Sequence, residues 1–279
     1  MIRQKRAVNL LRRNVPERIR IFNHALTLHG YDITDQPIRD PCPDDILLIW
    51  NRYSSSAVQA DLFEKVGATV LVVENSYLDM KDTKKAFAIS LNHHLGGGHW
   101  PTPKHSRFDL LDITLKPWRT RGKTVLLLPQ RGIGHPAVAM PKRWADKTET
   151  RLYKEAEHPV YVRRHPELLP EHKRTPLEHD LSKAWCVVTW ASSAAIKAIV
   201  AGVPVFYEFP EWIAGSCSIF GTDQINHADP VQLMGDRETM LSNLAWGQWT
   251  TEEVYDGRWL DYYLERKGEV SNESLKSDT

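Results

Sequence analysis

The sequence has few cysteines and no apolar run long enough to cross a bilayer. Its three cysteines, Cys42, Cys186 and Cys217, are odd in number and widely spaced, which fits neither a disulfide framework nor a zinc site. The apolar runs, such as residues 46–50, are far shorter than the roughly 20 residues of a membrane span. Residues 1–13 also lack the continuous apolar region of a signal peptide. We therefore expect a cytoplasmic protein with reduced cysteines and no membrane span.

Several motifs of nucleotide and metal sites are missing as well. The sequence contains neither G-x-x-x-x-G-K-[ST] nor G-x-G-x-x-G, so neither a P-loop nor the usual dinucleotide-binding turn is predicted. No D-x-D pattern follows a predicted strand, which favours chemistry that is independent of a metal ion.

The composition is that of an ordinary globular protein, with 42% hydrophobic and 25% charged residues. A net charge of +1 gives the whole chain no electrostatic attraction to nucleic acid. The charge is uneven, however, because residues 1–20 carry seven Arg or Lys against the single acid Glu17. Two interpretations stay open for this basic start: a solvated terminal segment, or a contact with a polyanion.

Short β-rich runs alternate with helical segments along the chain, which predicts parallel sheets flanked by helices. In the first half we predict a strand at Asp45–Trp50, a helix at Ser56–Val66 and a strand at Thr69–Val73. The second half repeats the alternation, with strands predicted at Thr124–Leu128, Pro159–Arg163, Trp185–Trp190 and Val203–Tyr207, and helices at Arg143–Glu157, Pro176–Ala184 and Ser192–Ala201. This order predicts an α/β protein of two Rossmann-like, doubly wound lobes.

The Gly- and Pro-rich stretch Gly96–Gly122 separates the two halves and reads as a loop and linker. We therefore expect an N-terminal lobe over residues 1–120, a second lobe over 121–245, and a C-terminal helical segment with a polar tail over 246–279. Residues 236–264 are predicted to be helical in two pieces. The second piece starts at Thr250, which forms a capping box with Glu253.

A tight turn holding Ser192 and Ser193 follows one of the predicted strands and opens a helix of small residues. The N-terminus of a helix presents free N–H groups and partial positive charge, and the hydroxyls add donors, so the turn suits a phosphate. In the alternative interpretation, one of the serines only caps the helix.

Two further turns follow predicted strands. His165 and Pro166 come directly after Pro159–Arg163, where the histidine could donate to a phosphate oxygen and Arg163 or Arg164 could add charge. Ligands of open parallel sheets gather at the carboxyl ends of strands, and both His165 and the serines occupy such ends. In the alternative interpretation, the arginines are solvated at the surface and bind no ligand.

The third turn reads Gln130-Arg131-Gly132-Ile-Gly134 and comes directly after the strand Thr124–Leu128. Glycines here would let the backbone approach a ligand closely, and Gln130 and Arg131 could contact a donor substrate. A purely structural turn is the alternative.

Together, this glycine turn, the Arg-His-Pro sequence and the Ser-Ser pair before Ala-Gly-Val-Pro-Val-Phe resemble bacterial glycosyltransferases of the GT-B fold. The likeness is to the group of capsule polysaccharide biosynthesis and sialyltransferase-like enzymes with an HP motif and an S-S/T motif. It implies a nucleotide-sugar donor held by His165, Ser192 and Ser193, with no cofactor. The Gln130 turn and Gln248-Trp-Thr also resemble uncharacterised bacteriophage proteins. The acidic motif that supplies the base in sialyltransferases is absent.

An inverting transfer needs a base to accept the proton of the acceptor hydroxyl. Candidates in the first lobe are Glu74, at the end of a predicted strand, and His93, His94 and His99 in a glycine-rich loop. Two alternatives stay open for the histidines: they bind a metal ion, or they have no special role. We expect glycosyl transfer to an acceptor that is either a hydroxymethylated base in phage DNA or a surface polysaccharide. A sugar-nucleotide epimerase and a non-catalytic nucleotide-sugar-binding protein are the alternatives.

Overall fold

The structure is a computed structural model that describes residues 4–11, 14–83, 85–94, 97 and 105–273, with side chains of the last helix described as far as Arg266. Its strands are β1 Arg6–Leu10, β2 Asp32–Thr34, β3 Ile46–Trp50, β4 Thr69–Asn75, β5 Ala86–Leu91, β6 Thr124–Leu128, β7 Val160–Val162, β8 Ala184–Thr189, β9 Val205–Tyr207, β10 Ile219–Phe220 and β11 Gln248–Thr250. Its α-helices are α1 Pro16–Leu28, α2 Ser55–Lys65, α3 Trp144–Glu155, α4 Leu177–Leu181, α5 Ser193–Val200, α6 Arg237–Trp246, α7 Thr251–Asp256 and α8 Arg258–Glu273. Within these residues, no helix is both long and apolar enough to span a membrane.

The chain divides into two compact units, each built on its own sheet. Unit 1 comprises Met1–His94, Gly98–Leu111 and Ala245–Thr279, and unit 2 comprises Leu95–Gly97 and Asp112–Leu244. Both units combine helices with a sheet that is mostly parallel, which fits a two-lobed Rossmann-like fold.

The sheet of unit 1 has the strand order β11-β5-β4-β3-β1-β2. Strands β1 to β4 pair in parallel, whereas β5 and β11 are antiparallel additions at one side. Successive side chains of a strand point to opposite faces, so each face has its own core. Helices α1 and α8 contribute to one core, and Phe63 of α2 to the other. The predicted strand-helix-strand unit is confirmed as β3, α2 and β4.

The basic start of the chain belongs to the folded sheet, which corrects the interpretation as a solvated terminal segment. Strand β1 lies between β2 and β3, and its Ala7 and Val8 are fully buried. The Arg6 guanidinium donates to the buried carboxylate of Asp45 at 2.8 Å, and the Arg6 N–H donates to the same side chain at 2.9 Å. Ala7 thus packs in one core of unit 1 and Val8 in the other.

The segment after α6 returns to unit 1. Here β11 pairs antiparallel with β5, with Gln248 opposite Ala88. Trp249 is buried in the unit 1 core, which explains why three residues between two helices take up extended structure. The predicted capping box is confirmed, since Thr250 and Glu253 exchange side-chain and backbone hydrogen bonds at the start of α7.

Unit 2 contains a fully parallel sheet of order β10-β9-β8-β6-β7. The four strands predicted for this half are confirmed, with ends shifted by up to two residues, and β10 is an additional edge strand. Because every strand runs in the same direction, the turns that follow β6, β7 and β8 all leave the sheet at one edge.

Asp45 gives a test of what holds the start of the chain in place. Burial opposes ionisation of its carboxyl, but hydrogen bonds from Arg6 and from the Cys42 N–H outweigh burial and lower its pKa. The ionised form therefore stabilises the fold above the unfolded-state pKa of about 3.9, and this contribution is lost as the pH falls through the folded pKa. We expect Asp45→Asn to lower the free energy of unfolding by about 2–3 kcal/mol at pH 7 and to flatten its decline in acid.

Denaturant unfolding as a function of pH measures both effects. Asp44→Asn is the matched control, because Asp44 is exposed and should change stability by no more than about 0.5 kcal/mol. Equal stability of the Asp45 and Asp44 variants would contradict the assigned role of Asp45.

Candidate functional site

Three turns meet at the carboxyl edge of the unit 2 sheet, and we call them the β6 turn (residues 129–134), the β7 turn (163–168) and the β8 turn (190–193). Their strands are neighbours in the order β8-β6-β7. The β6 strand contributes backbone pairs to both sides, with Leu127 opposite Val162 on one side and Val188 on the other. The β6 turn is therefore flanked by the two turns that carry His165 and the serines.

The β6 and β8 turns are joined by a reciprocal amide pair. The Gln130 side chain donates from Nε2 to the Ala191 carbonyl at 3.1 Å and accepts from the Ala191 N–H through Oε1 at 3.2 Å. Beneath this pair, the buried Thr189 hydroxyl donates to the Leu128 carbonyl at 3.0 Å and accepts from the Ser192 N–H at 3.1 Å. Gln130 thus uses both ends of its amide to fix the spacing of the two turns.

Ser192 is the N-cap of α5, because its hydroxyl accepts from the Ala194 N–H at 3.2 Å. This geometry satisfies the structural interpretation of that serine. Ser193, the first helical residue, is exposed. The two hydroxyls therefore differ: one is committed to the backbone, and the other faces solvent.

Glycine is required at Gly132 by the backbone. Its φ of +66° lies in the left-handed region, and a Cβ at this position would come within 3.1 Å of the Met140 carbonyl oxygen. Gly134 also has a positive φ, of 137°. The β6 turn is thus a tight loop in which two glycines adopt positive φ.

Arg131 and Glu167 form a salt bridge that joins the β6 turn to the β7 turn. Next to it, His165 caps a short 3₁₀ helix, with Nδ1 accepting from the Glu167 N–H at 3.3 Å. Because a backbone N–H can only donate, the proton of the neutral imidazole is on Nε2. Burial, and then the positive charge of Arg131, lower the His165 pKa, whereas Glu167 raises it.

Arg163 lies in the same turn but points its guanidinium into unit 2. It forms a salt bridge with Asp180 and donates to the Thr175 hydroxyl at 2.9 Å. These contacts tie the end of β7 to α4, so the guanidinium is engaged by the fold. Its neighbour Arg164 is exposed.

The base candidates belong to unit 1. Glu74 lies near the carboxyl end of β4, is 9% exposed, and accepts from the Tyr77 hydroxyl at 2.9 Å. His94 is 1% exposed, and its Nδ1 accepts from the Arg52 N–H at 3.3 Å. His93 is partly buried, and its carbonyl accepts from the Ser90 hydroxyl. His99 lies outside the described residues.

Thr189 and Glu167 were missed by sequence reasoning, although both shape the edge of unit 2. Thr189 is the last residue of a buried strand, and a polar residue at such a strand end was the available signal. Glu167 follows His165 by two residues, and only the fold shows that it faces Arg131 across two strands. In the described residues, no cluster of three or more His, Cys, Asp or Glu side chains is arranged to hold a metal ion.

Comparison with known proteins gives a match at the level of three-dimensional structure. No protein-family model and no curated protein sequence matches the chain. The structure of the Thermosulfurimonas dismutans KpsC β-Kdo 2,7-transferase is similar over 92% of this chain and 100% of that one, with 13% identity and a TM-score of 0.53. The likeness shows a shared fold. The β-Kdo 2,4-transferase structure of KpsC from the same organism covers 87% of this chain and 90% of its own, with 13% identity and a TM-score of 0.48.

Removing Arg131 should raise the His165 pKa. In Arg131→Gln the cation that lowers the pKa is absent, and Glu167, which raises it, loses its partner. We expect the histidine Cε1–H resonance to titrate at a higher pH than in the wild type when followed by NMR. Arg164→Gln is the matched control, and a shift of equal size in both variants would contradict this account.

Proposed function

We propose that the chain is a metal-independent glycosyltransferase of the GT-B type that uses a nucleotide-sugar donor. The observation that carries the proposal is the meeting of the β6, β7 and β8 turns at one edge of a parallel sheet, where ligands of open α/β folds bind. The fold shared with a Kdo transferase supports it.

In this proposal, the edge of unit 2 holds the phosphate of the donor. Donors at the edge are the exposed hydroxyl of Ser193, the N-terminal N–H groups of α5 beside Ser192, and His165. The Nε2–H of neutral His165 donates to a phosphate oxygen, and protonation adds a positive charge there. Gln130, Arg131, Gly132 and Gly134 shape the β6 turn beside the donor, and Arg163 supports the β7 turn.

Sugar transfer breaks the bond between the anomeric carbon and the phosphate oxygen and leaves negative charge on the departing nucleotide. Hydrogen-bond donors fixed where that charge develops lower the barrier, since they need no reorganisation during the reaction. The reciprocal pairing of Gln130 with Ala191 holds the β8 turn in place before the donor arrives.

The acceptor hydroxyl loses its proton to a base, for which unit 1 offers Glu74, His93, His94 and His99. We favour Glu74 because its carboxylate lies near the carboxyl end of β4, the edge of the parallel strands of unit 1. Burial and the hydrogen bond from the Tyr77 hydroxyl fix its position.

A saccharide is the acceptor we favour over a base in DNA. The DNA interpretation rested on the likeness to bacteriophage proteins and on the basic start, in which Arg6 is paired with Asp45 and Arg20 donates to Glu17 at 2.7 Å and 3.0 Å. Cations that are neutralised within the chain contribute little to binding phosphates of a duplex. A surface polysaccharide therefore suits the charge distribution better.

The donor site is tested by calorimetry with UDP, CMP, GDP and ADP sugars. We expect one nucleotide class to bind, and His165→Ala and Ser193→Ala each to weaken that binding by roughly tenfold, as loss of a hydrogen bond to a charged group implies. Ser193 is chosen because replacing Ser192 would also remove the α5 cap.

His172→Ala and Ser182→Ala are the matched controls, since both side chains are exposed and lie outside the three turns. Wild-type affinity in the His165 and Ser193 variants would place the donor elsewhere. Absence of binding to every nucleotide sugar would contradict the proposal, and conversion of the sugar without acceptor would favour an epimerase.

Replacing the proposed base should separate chemistry from donor binding. We expect Glu74→Gln to lower kcat by roughly 100-fold or more, in the range of general-base catalysis, while the donor Kd is unchanged. Turnover is measured as nucleotide release with a saccharide acceptor. Unchanged kcat in Glu74→Gln, with a loss in the His93→Gln or His94→Gln variant, would move the assignment to that histidine.

A further inference from the structure

Glu167 is the single acidic residue within the β6, β7 and β8 turns of unit 2. Its carboxylate is 64% exposed and forms a salt bridge with Arg131, which is 38% exposed. An acid beside the proposed phosphate site would repel the ligand unless its charge is already balanced. The basic residues of the same turns are His165 and the arginines Arg131, Arg163 and Arg164.

The arginines differ in how firmly their partners hold them. Arg163 is largely buried and bonded to Asp180 and to the Thr175 hydroxyl, so the fold engages its charge. Within the described residues, the Arg131 guanidinium has one hydrogen-bond acceptor, the carboxylate of Glu167. Exposed ion pairs contribute little to stability, because water screens them and two long side chains must be ordered. The Arg131–Glu167 pair can therefore open at small cost.

Arg131 stands between the two groups that hold the phosphate in the proposed donor site. The adjacent Gln130 is hydrogen-bonded to Ala191, so the backbone of Arg131 lies beside the turn that opens α5. On its other side the guanidinium reaches the β7 turn, where the Glu167 N–H donates to His165. A phosphate bound by the N-terminus of α5 and by His165 would thus lie within reach of Arg131.

A phosphate is a stronger partner for a guanidinium than an exposed carboxylate is. It carries up to two negative charges, and its oxygens accept two parallel N–H bonds from one arginine. A phosphate at this edge also receives bonds from other donors, whereas Glu167 offers only its own carboxylate. The ligand should therefore displace Glu167 from Arg131.

We propose that Glu167 holds Arg131 in the donor-free protein and releases it to the phosphate of the donor. The inference deepens the proposed function and rests on its donor site. The phosphate then joins the β6 and β7 turns in place of the carboxylate. Competition from Glu167 lowers the affinity for any phosphate ligand, since the competent state must first be reached. After sugar transfer, the return of Glu167 to Arg131 favours departure of the nucleotide.

The test is a titration of the full chain with inorganic phosphate, followed by NMR through the His165 Cε1–H resonance. Because Glu167 also raises the His165 pKa, the titration is done at about pH 8, where the imidazole is neutral in every variant. We expect Glu167→Gln to tighten phosphate binding roughly threefold and Arg131→Gln to weaken it roughly fivefold. In the Arg131→Gln background, Glu167→Gln should have no effect, since no guanidinium is left to release.

Glu171→Gln is the matched control, because Glu171 is an exposed glutamate of a short 3₁₀ helix outside the three turns. Equal tightening in the Glu171 and Glu167 variants would overturn the inference, as would equal tightening with and without Arg131, because either result would indicate general charge repulsion. Weaker or unchanged binding in Glu167→Gln would also overturn it and leave the donor site intact. Absence of phosphate binding in every variant would instead remove the donor site, and the inference with it.

Discussion

The parallel alignment of β8, β6 and β7 is the constraint on which the edge of unit 2 depends. The end of a β-strand has a fixed position once the strand is hydrogen-bonded to a neighbour on each side. Strand β6 is paired in this way with β7 and with β8. The turns that follow are then fixed by side chains, with Gln130 bonded to Ala191 and Arg131 to Glu167. Turns from three separate stretches of sequence are thereby held together by the fold itself, which is the condition that electrostatic preorganisation requires of the proposed site.

Local sequence signals predicted much of the fold, because buried parallel strands are continuous apolar runs and their helices end at glycines. β3, β4, β6 and β8 were found in this way. Two of the strands that were missed, β1 and β11, have partners far away in the sequence. β1 begins at Arg6, whose charge is paired with Asp45, while β11 is only three residues long and places Trp249 in the unit 1 core.

The meeting of the three turns was predictable from the sequence, but the contacts of their side chains were not. A turn after a predicted strand marks a sheet edge, so Gln130, His165 and Ser192 could be placed together from the pattern alone. The partner of each side chain depends on tertiary geometry, and Arg163 shows the difference. It belongs to the β7 turn, yet its guanidinium forms a salt bridge with Asp180 of α4, a pairing that no spacing rule indicates.

Unit 1 is assembled from the beginning and the end of the chain, and this order has a consequence for synthesis on the ribosome. The place of β11 beside β5 stays empty until all of residues 112–244 have been translated, because β11 comes after them. During that interval the apolar side chains of Phe87 and Ile89, which later pack in one core with Trp249, lack their cover. A nascent chain with an uncovered apolar sheet margin is prone to association with other chains. Unit 2 has its whole sheet available earlier, so the half of the molecule translated first is the last to be completed.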